Sequence, residues 1–305
     1  MFVPSTYQWW FFGVIVLTML VVDLFAHRHP HKVKFQEALV WSGIWIGLAL
    51  AFNAWIYFEF GPQKALKFLT GYVVEKSLSM DNVFVFIMLF ETFKVPPKYQ
   101  HRVLFWGVFG AIIMRAILIY FGLVLIQAFA WTLYIFGAFL LYTAYKMLTS
   151  TPDPVTANNP VLLWCQRHFR VTKSFVQENF IVKQRGKWFV TPLFIVLVFV
   201  EFSDLVFAID SIPAIFAITT DPFLVYTSNI FAILGLRALY FAIGHAIQYL
   251  QHLKIGLGII LGFVGCKMLA HNVYHVPPLL SLAIILGILF TTILTSYLAK
   301  TNSRS

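Results

Sequence analysis

Residues 190–216 read Val190-Thr-Pro-Leu-Phe-Ile-Val-Leu-Val-Phe-Val-Glu201-Phe-Ser-Asp204-Leu-Val-Phe-Ala-Ile-Asp210-Ser-Ile-Pro213-Ala-Ile-Phe216. Apart from Glu201, Asp204 and Asp210, no charged side chain interrupts this run. Wound as a helix at about 1.5 Å per residue, it is longer than the roughly 30 Å hydrocarbon core of a bilayer. The stretch is read as a membrane-spanning helix that carries three acids. That combination decides both the fold class and the place to look for function.

Working outward, similar apolar runs recur along the whole chain. Nine spans are expected, at about 8–26, 38–59, 67–92, 103–125, 129–148, 190–216, 224–248, 254–271 and 279–299. Gly61-Pro62, Pro96-Pro97, Asp221-Pro222 and Pro277-Pro278 punctuate them. The composition agrees: 60% of the 305 residues are apolar and only 11% charged. A soluble domain carries about a quarter charged residues to cover its surface. The expected fold class is therefore all-α, a polytopic membrane helix bundle.

The formal charge of +10 does not mark a nucleic-acid binder, because the basic residues lie between the apolar runs. Alternate loops divide them fifteen to two: the larger set includes Arg28, Lys94, Arg102, Arg167, Lys187 and Arg304, the smaller only Lys64 and Lys67. The positive-inside rule then puts the N-terminus outside and the C-terminus in the cytoplasm. The first run lacks a basic n-region and is followed by Asp23 and not by a small-residue cleavage site, so 8–26 is read as a retained span. Cys165 and Cys266 form no CxxC pair and support neither a disulfide framework nor a thiolate metal site.

The two halves share a self-similarity. Gly110-Ala-Ile-Ile-Met-Arg115-Ala-Ile-Leu-Ile-Tyr-Phe-Gly122 aligns with Ala232-Ile-Leu-Gly-Leu-Arg237-Ala-Leu-Tyr-Phe-Ala-Ile-Gly244. Lys146-Met147-Leu148 matches Lys267-Met268-Leu269, and Asn82 falls on Asp204. Each unit holds three spans, an odd number, so the copies must cross the membrane in opposite senses, a plan typical of secondary transporters. The expected organisation is two N-terminal spans in 1–60, a first three-span repeat in 61–148 and a cytoplasmic linker in 149–189. A second, inverted repeat in 190–272 and a last span with its tail in 273–305 complete it.

Each repeat opens on an acidic cluster: Glu75-Lys76-Ser77-Leu-Ser79-Met-Asp81-Asn82 in the first, and Glu201, Asp204, Asp210 and Ser211 in the second. An ionised residue at the centre of a spanning helix costs about 2.5–3.5 kcal/mol even on lenient scales. These acids are therefore expected to face one another, a cation or water. Helical spacing puts Glu75, Ser79 and Asn82 on one face, and Glu201, Asp204 and Ser211 on another; Asp81 and Asp210 point elsewhere if the helices are regular. Pro213 is expected to disturb its helix and free carbonyls near Ile209.

Glu75, Asp81, Asn82, Glu201, Asp204 and Asp210 make up the expected metal site, with Ser79 and Ser211 in support. Oxygen donors without thiolate or nearby imidazole suit Mg²⁺, Ca²⁺ or Mn²⁺. Lys76, Arg115 and Arg237 are the natural counter-ions, and the alternative is that they pair with the acids simply to hold the bundle together. His27, His29 and His31 read as part of a solvated basic loop, and His245 as a hydrogen-bonded core residue.

At the two acidic segments, and again at Thr227-Ser-Asn-Ile-Phe-Ala-Ile-Leu-Gly-Leu-Arg237-Ala-Leu-Tyr-Phe, the chain resembles the TerC family of integral membrane proteins in its Alx-like branch. The resemblance implies a bacterial inner-membrane protein associated with manganese export, tellurite resistance and the response to alkaline pH. It also implies kinship with LysE-like transporters. A redox-modulating role is attached to the family too, but two scattered cysteines and no haem or flavin signature give it no chemistry here.

The expected function is secondary transport, not enzymatic catalysis: export of divalent cations, manganese foremost, from cytoplasm to periplasm. Protons that the carboxylates take up when no cation is bound would be the counter-substrate. The partners are then the cation, protons and the bilayer, with no nucleic acid and no permanently bound cofactor. The alternative is a membrane scaffold or stress-response protein acting through partners at the basic linker.

Overall fold

The computed structural model describes residues 6–26, 35–129, 131–149, 168–172, 174–184, 186–246, 252–270 and 276–302. Ten helices stand among them: α1 (Thr6–Ala26), α2 (Phe35–Phe60), α3 (Pro62–Thr92), α4 (Pro97–Ala128), α5 (Thr132–Thr149), α6 (Pro192–Phe216), α7 (Pro222–Leu234), α8 (Leu236–Ala246), α9 (Leu253–Leu269) and α10 (Pro278–Asn302). The fold is an all-α bundle of membrane helices. Its starts follow from local chemistry. Prolines 62, 97, 192, 222 and 278 stand at the first position, where a missing N–H is no loss and φ is already helical. Asp221 caps α7, its carboxylate accepting from the amides of Phe223 at 3.0 Å and Leu224 at 3.4 Å. Gly61, at φ +87°, supplies the left-handed turn between α2 and α3.

Among the described residues, helix covers most of each stretch where a span was expected. By length and apolarity α1, α2, α4, α6 and α10 qualify to cross a bilayer, and the α7–α8 pair makes a sixth. That pair corrects the expectation of one continuous helix over 224–248, because it bends by 42° at Gly235. A Cβ there would lie 2.8 Å from Lys76 Nζ and 3.0 Å from Trp45, so the bend accommodates the side chains of α2 and α3. In contrast, Pro213 does not end its helix; α6 runs through it to Phe216, the proline falling in the last turn. The linker also holds structure that the reading of 149–189 omitted. Ile181–Gln184 pairs antiparallel with Lys187–Val190 around Gly186 at φ +77°, and Val171 bridges to Val190.

Contacts fix how the helices run. Gly107 faces Val200 and Gly122 faces Phe216, so α4 and α6 are parallel. Gly71 faces Ser228 and Lys76 reaches Ala232, so α3 and α7 are parallel too. Asn82 meets Asp204 while Gly71 nears Ile215, which makes α3 and α6 antiparallel. Gly137 meets Leu269 and Gly258 meets Leu148, so α5 and α9 are antiparallel, their backbones brought close by small residues as in other membrane helix pairs. Large apolar side chains such as Leu17, Phe58, Tyr120, Phe121 and Phe290 are exposed on the outer surface, as hydrocarbon contact requires. A soluble protein would bury such a surface.

Candidate functional site

Four helices converge on Arg115 of α4, whose residue surface is 1% exposed. On α3 the 3.6-residue repeat stacks Glu75, Ser79 and Asn82 on one face, and all three are buried. On α6 Asp204 and Ser211, seven residues apart, are likewise buried. Arg115 donates from Nη1 to Glu75 Oε1, from Nη2 to Asp204 Oδ1 at 3.0 Å and from Nε to Asp204 Oδ2 at 3.2 Å. Nη1 also faces Asn229 Oδ1 of α7 at 3.0 Å and Ser211 Oγ at 3.5 Å. Asn82 Nδ2 donates to Asp204 Oδ1 at 3.3 Å.

This is a forked guanidinium in an oxygen cage. The bidentate grip on Asp204 uses the planar geometry that distinguishes arginine from lysine. Two carboxylates share one cation, so the cluster is formally one negative charge in excess. A buried charge cluster is stable only where its lone pairs and protons find partners. Here Glu75 Oε2, Ser79 Oγ, Asn82 Oδ1 and Asn229 Nδ2 are buried without a hydrogen-bond partner among the described residues. Beside them lies a cavity of about 20 Å³. Glu75, Asn82, Arg115, Met147, Asp210 and Ser211 form its wall, together with apolar neighbours. A volume of that size admits one water-sized sphere.

The structure does not bring all the expected site residues together. Glu75, Asn82, Asp204 and Ser211 converge, whereas Glu201, on the same face as Asp204 and within electrostatic reach of it, lies against Gly110 of α4 and makes no hydrogen bond to Arg115. Asp210, expected to point away, borders the cavity and accepts a hydrogen bond from Thr143 Oγ1 of α5 at 3.1 Å. Asp81 stands on α3, but its side chain lies outside the described residues, as do His27, His29 and His31 and the side chain of His245. Ser79 stays on the buried face without joining the Arg115 network.

Among the described residues, Arg115 alone of the three expected counter-ions pairs with the acids of the two segments. Arg237 pairs instead with Asp23 of α1, Nη1 to Oδ2 at 2.9 Å. Lys76 donates to the carbonyl of Ala232 at 3.1 Å, near the C-terminal end of α7, where the helix dipole favours a cation. Both sit beside the Gly235 bend. Sequence reasoning missed Asn229, Thr143 and Met147. The run Thr227-Ser228-Asn229 inside an apolar segment was a signal for the first, and ordinary helix composition concealed the other two.

Among the described residues no three His, Cys, Asp or Glu side chains are arranged to hold a metal ion. The donors around the cavity are mixed: carboxylate, amide, hydroxyl and thioether. Arg115 takes three of the four carboxylate oxygens of Glu75 and Asp204. Chemically the arrangement can bind a cation, and the bound cation in this structure is an arginine of the chain itself.

The model of the integral membrane protein TerC family matches residues 60–304. A Salmonella typhi protein named "Putative membrane-bound redox modulator Alx" is 48% identical over 296 residues, covering 93% of this chain and 92% of its own. A Myxococcus xanthus protein named "Uncharacterized membrane protein STKORF319" is 44% identical over 303 residues, covering 99% and 95%. An uncharacterized membrane protein of Rickettsia felis is 40% identical, covering 96% and 98%. No solved structure matches the chain.

Proposed function

The chain belongs to the TerC family of integral membrane proteins, and from that premise we propose that it is a secondary transporter moving divalent cations, manganese foremost, from cytoplasm to periplasm. The observation that carries this reading is the buried, oxygen-rich cluster of Glu75, Asn82, Asp204, Ser211 and Asn229, built where α3, α4, α6 and α7 meet. Intramembrane ionisable groups are retained for function far more often than for packing.

The helix directions support the inverted repeat. The first helices of the two units, α3 and α6, run antiparallel, and so do the third, α5 and α9. Inverted units with a site at their interface are the plan on which alternating access operates. The distribution of Lys and Arg supports an inner-membrane protein with its N-terminus outside and its C-terminus in the cytoplasm.

Arg115 gives the cycle a resting state. A divalent ion reaching the cavity competes with the guanidinium for Glu75 and Asp204, because two cations within a few ångströms repel strongly in a low dielectric. When the ion leaves, Arg115 pairs with the acids again, so the empty carrier returns with both carboxylates held by the guanidinium. Proton uptake by Glu201 or Asp210, which Arg115 does not hold, provides the exchange.

A second reading is favoured by the same arginine. Its hold on three carboxylate oxygens is what a purely structural tie would look like, in a protein acting through partners. Mn²⁺ uptake into inverted membrane vesicles separates the two. Wild-type protein is expected to accumulate Mn²⁺ above empty vesicles, and Glu75→Gln and Asp210→Asn, at matched protein levels, to lose that uptake. Wild-type uptake no higher than empty vesicles would bring the structural reading to the front.

A further inference from the structure

Met147 lies on α5 one turn beyond Thr143 and is the residue of that helix that lines the small cavity. Thr143 holds Asp210, while Met147 joins Glu75, Asn82, Arg115, Asp210 and Ser211 in the wall. The cavity, about 20 Å³, has room for one water-sized sphere, comparable to a dehydrated ion. Two of its lining groups are almost wholly buried and hold unpartnered acceptors among the described residues: Glu75, 1% exposed, with Oε2 open, and Asn82, 2% exposed, with Oδ1 open. Buried acceptors without donors are costly, and a cation satisfies several at once.

Carboxylate, amide and hydroxyl oxygens alone would accept Mg²⁺, Ca²⁺ and Mn²⁺ without strong preference. A thioether changes that balance. Its sulfur is soft and polarizable, a poor exchange for water at hard Mg²⁺ or Ca²⁺ but an acceptable one at a first-row transition ion. We propose that this cavity is a cation site and that Met147 is its specificity-determining residue, selecting divalent transition metals against Mg²⁺ and Ca²⁺. The inference deepens the transporter reading and rests on it for its physiological sense.

The sister motif sharpens the assignment. Lys146-Met147-Leu148 and Lys267-Met268-Leu269 match in sequence, but Met268 is buried in the apolar core beside Leu261 and Val264 and does not line the cavity. The two methionines are therefore separable by substitution. Leucine conserves volume at either position, so packing is little disturbed.

The test is Mn²⁺ binding to the purified protein, read from loss of the free-ion electron paramagnetic resonance signal, with Mg²⁺ or Ca²⁺ added as competitor. Wild type is expected to keep its Mn²⁺ in an excess of Mg²⁺. Met147→Leu should bind Mn²⁺ at least about tenfold more weakly, the scale on which shell residues tune metal affinity, and should lose its preference over Mg²⁺. Met147→Gln, which restores a hard oxygen, should recover affinity but favour Mg²⁺ and Ca²⁺. Met268→Leu should match wild type. A wild type that binds no Mn²⁺, or a Met147→Leu variant with unchanged preference, overturns the proposal. Vesicle uptake keeps the two claims distinct: selective binding without uptake upholds the site and removes the transporter, whereas uptake with unchanged selectivity in Met147→Leu upholds the transporter and removes the thioether.

Discussion

Asn82 and Asp204, which hold matching places in the two self-similar halves of the chain, touch each other: Asn82 Nδ2 donates to Asp204 Oδ1 at 3.3 Å. Their contact ties α3 to α6, and Arg115 of α4 is fastened to the same carboxylate.

Arg115 is therefore the residue whose loss should be felt most. Removing one partner of a buried ion pair costs about 3–5 kcal/mol, because the other charge is left in low dielectric. Arg115→Ala is expected to lower the midpoint of thermal unfolding in detergent steeply, or to prevent recovery of monodisperse protein. Arg115→Lys should rescue little of this, since one ammonium cannot grip both oxygens of Asp204 and reach Glu75 and Asn229 as well. A lysine variant as stable as wild type would refute the forked geometry.

The α5–α9 contact depends on backbone approach. A Cβ on Gly137 would lie 2.9 Å from Leu269 and 3.3 Å from the carbonyl oxygen of Gly265. Gly137→Ala should cost about 1–3 kcal/mol through overpacking. Gly13→Ala in α1, with nothing within 4 Å, should be neutral or slightly stabilising. Unfolding midpoints of the two variants, measured side by side, check the contrast.

Asp23 ties α1 to the bent segment through Arg237, and both residues are largely buried. Asp23→Ala leaves Arg237 unpaired beside the Gly235 bend, and α1 should detach more readily. Labelling of a cysteine introduced at Met19, buried at 5% exposure, should be slow with Asp23 present and faster in the Asp23→Ala background. Equal rates would show that α1 is held by its apolar contacts alone.

Asp221 performs a local task that is easily isolated. Its carboxylate caps the amides of Phe223 and Leu224 and sits 3.5 Å from Lys64 Nζ. Asp221→Ala should cost about 1 kcal/mol, most of it the cap, because the partly exposed ion pair adds little. Asp221→Asn should restore most of the loss. If asparagine were no better than alanine, the charge and not the cap would be the dominant contribution.

Much of this architecture was legible in the chain before any fold. Apolar runs of spanning length and the punctuating prolines at 62, 97, 222 and 278 located the helices, since both act within a few residues of themselves. Helical periodicity put Glu75, Ser79 and Asn82 on one buried face, and the aligned arginines flagged Arg115. Periodicity failed for Asp210, because which face of α6 is occupied depends on where α5 brings Thr143. It left Glu201 beside Asp204 in charge but not in hydrogen bonding, because the carboxylate packs against Gly110 of α4. The bend at Gly235 escaped notice because its cause, room for Lys76 and Trp45, comes from two other helices.

By itself, then, the sequence determined that this is a membrane helix bundle with acids in its interior, because hydrophobicity and helix-starting residues are local properties that each segment carries with it. Only the tertiary structure decided which acids share Arg115, which one turns to Thr143, and that a methionine completes the wall of the cavity. Those choices are set by where four helices cross, and a crossing is a property of pairs of segments that neither segment holds alone.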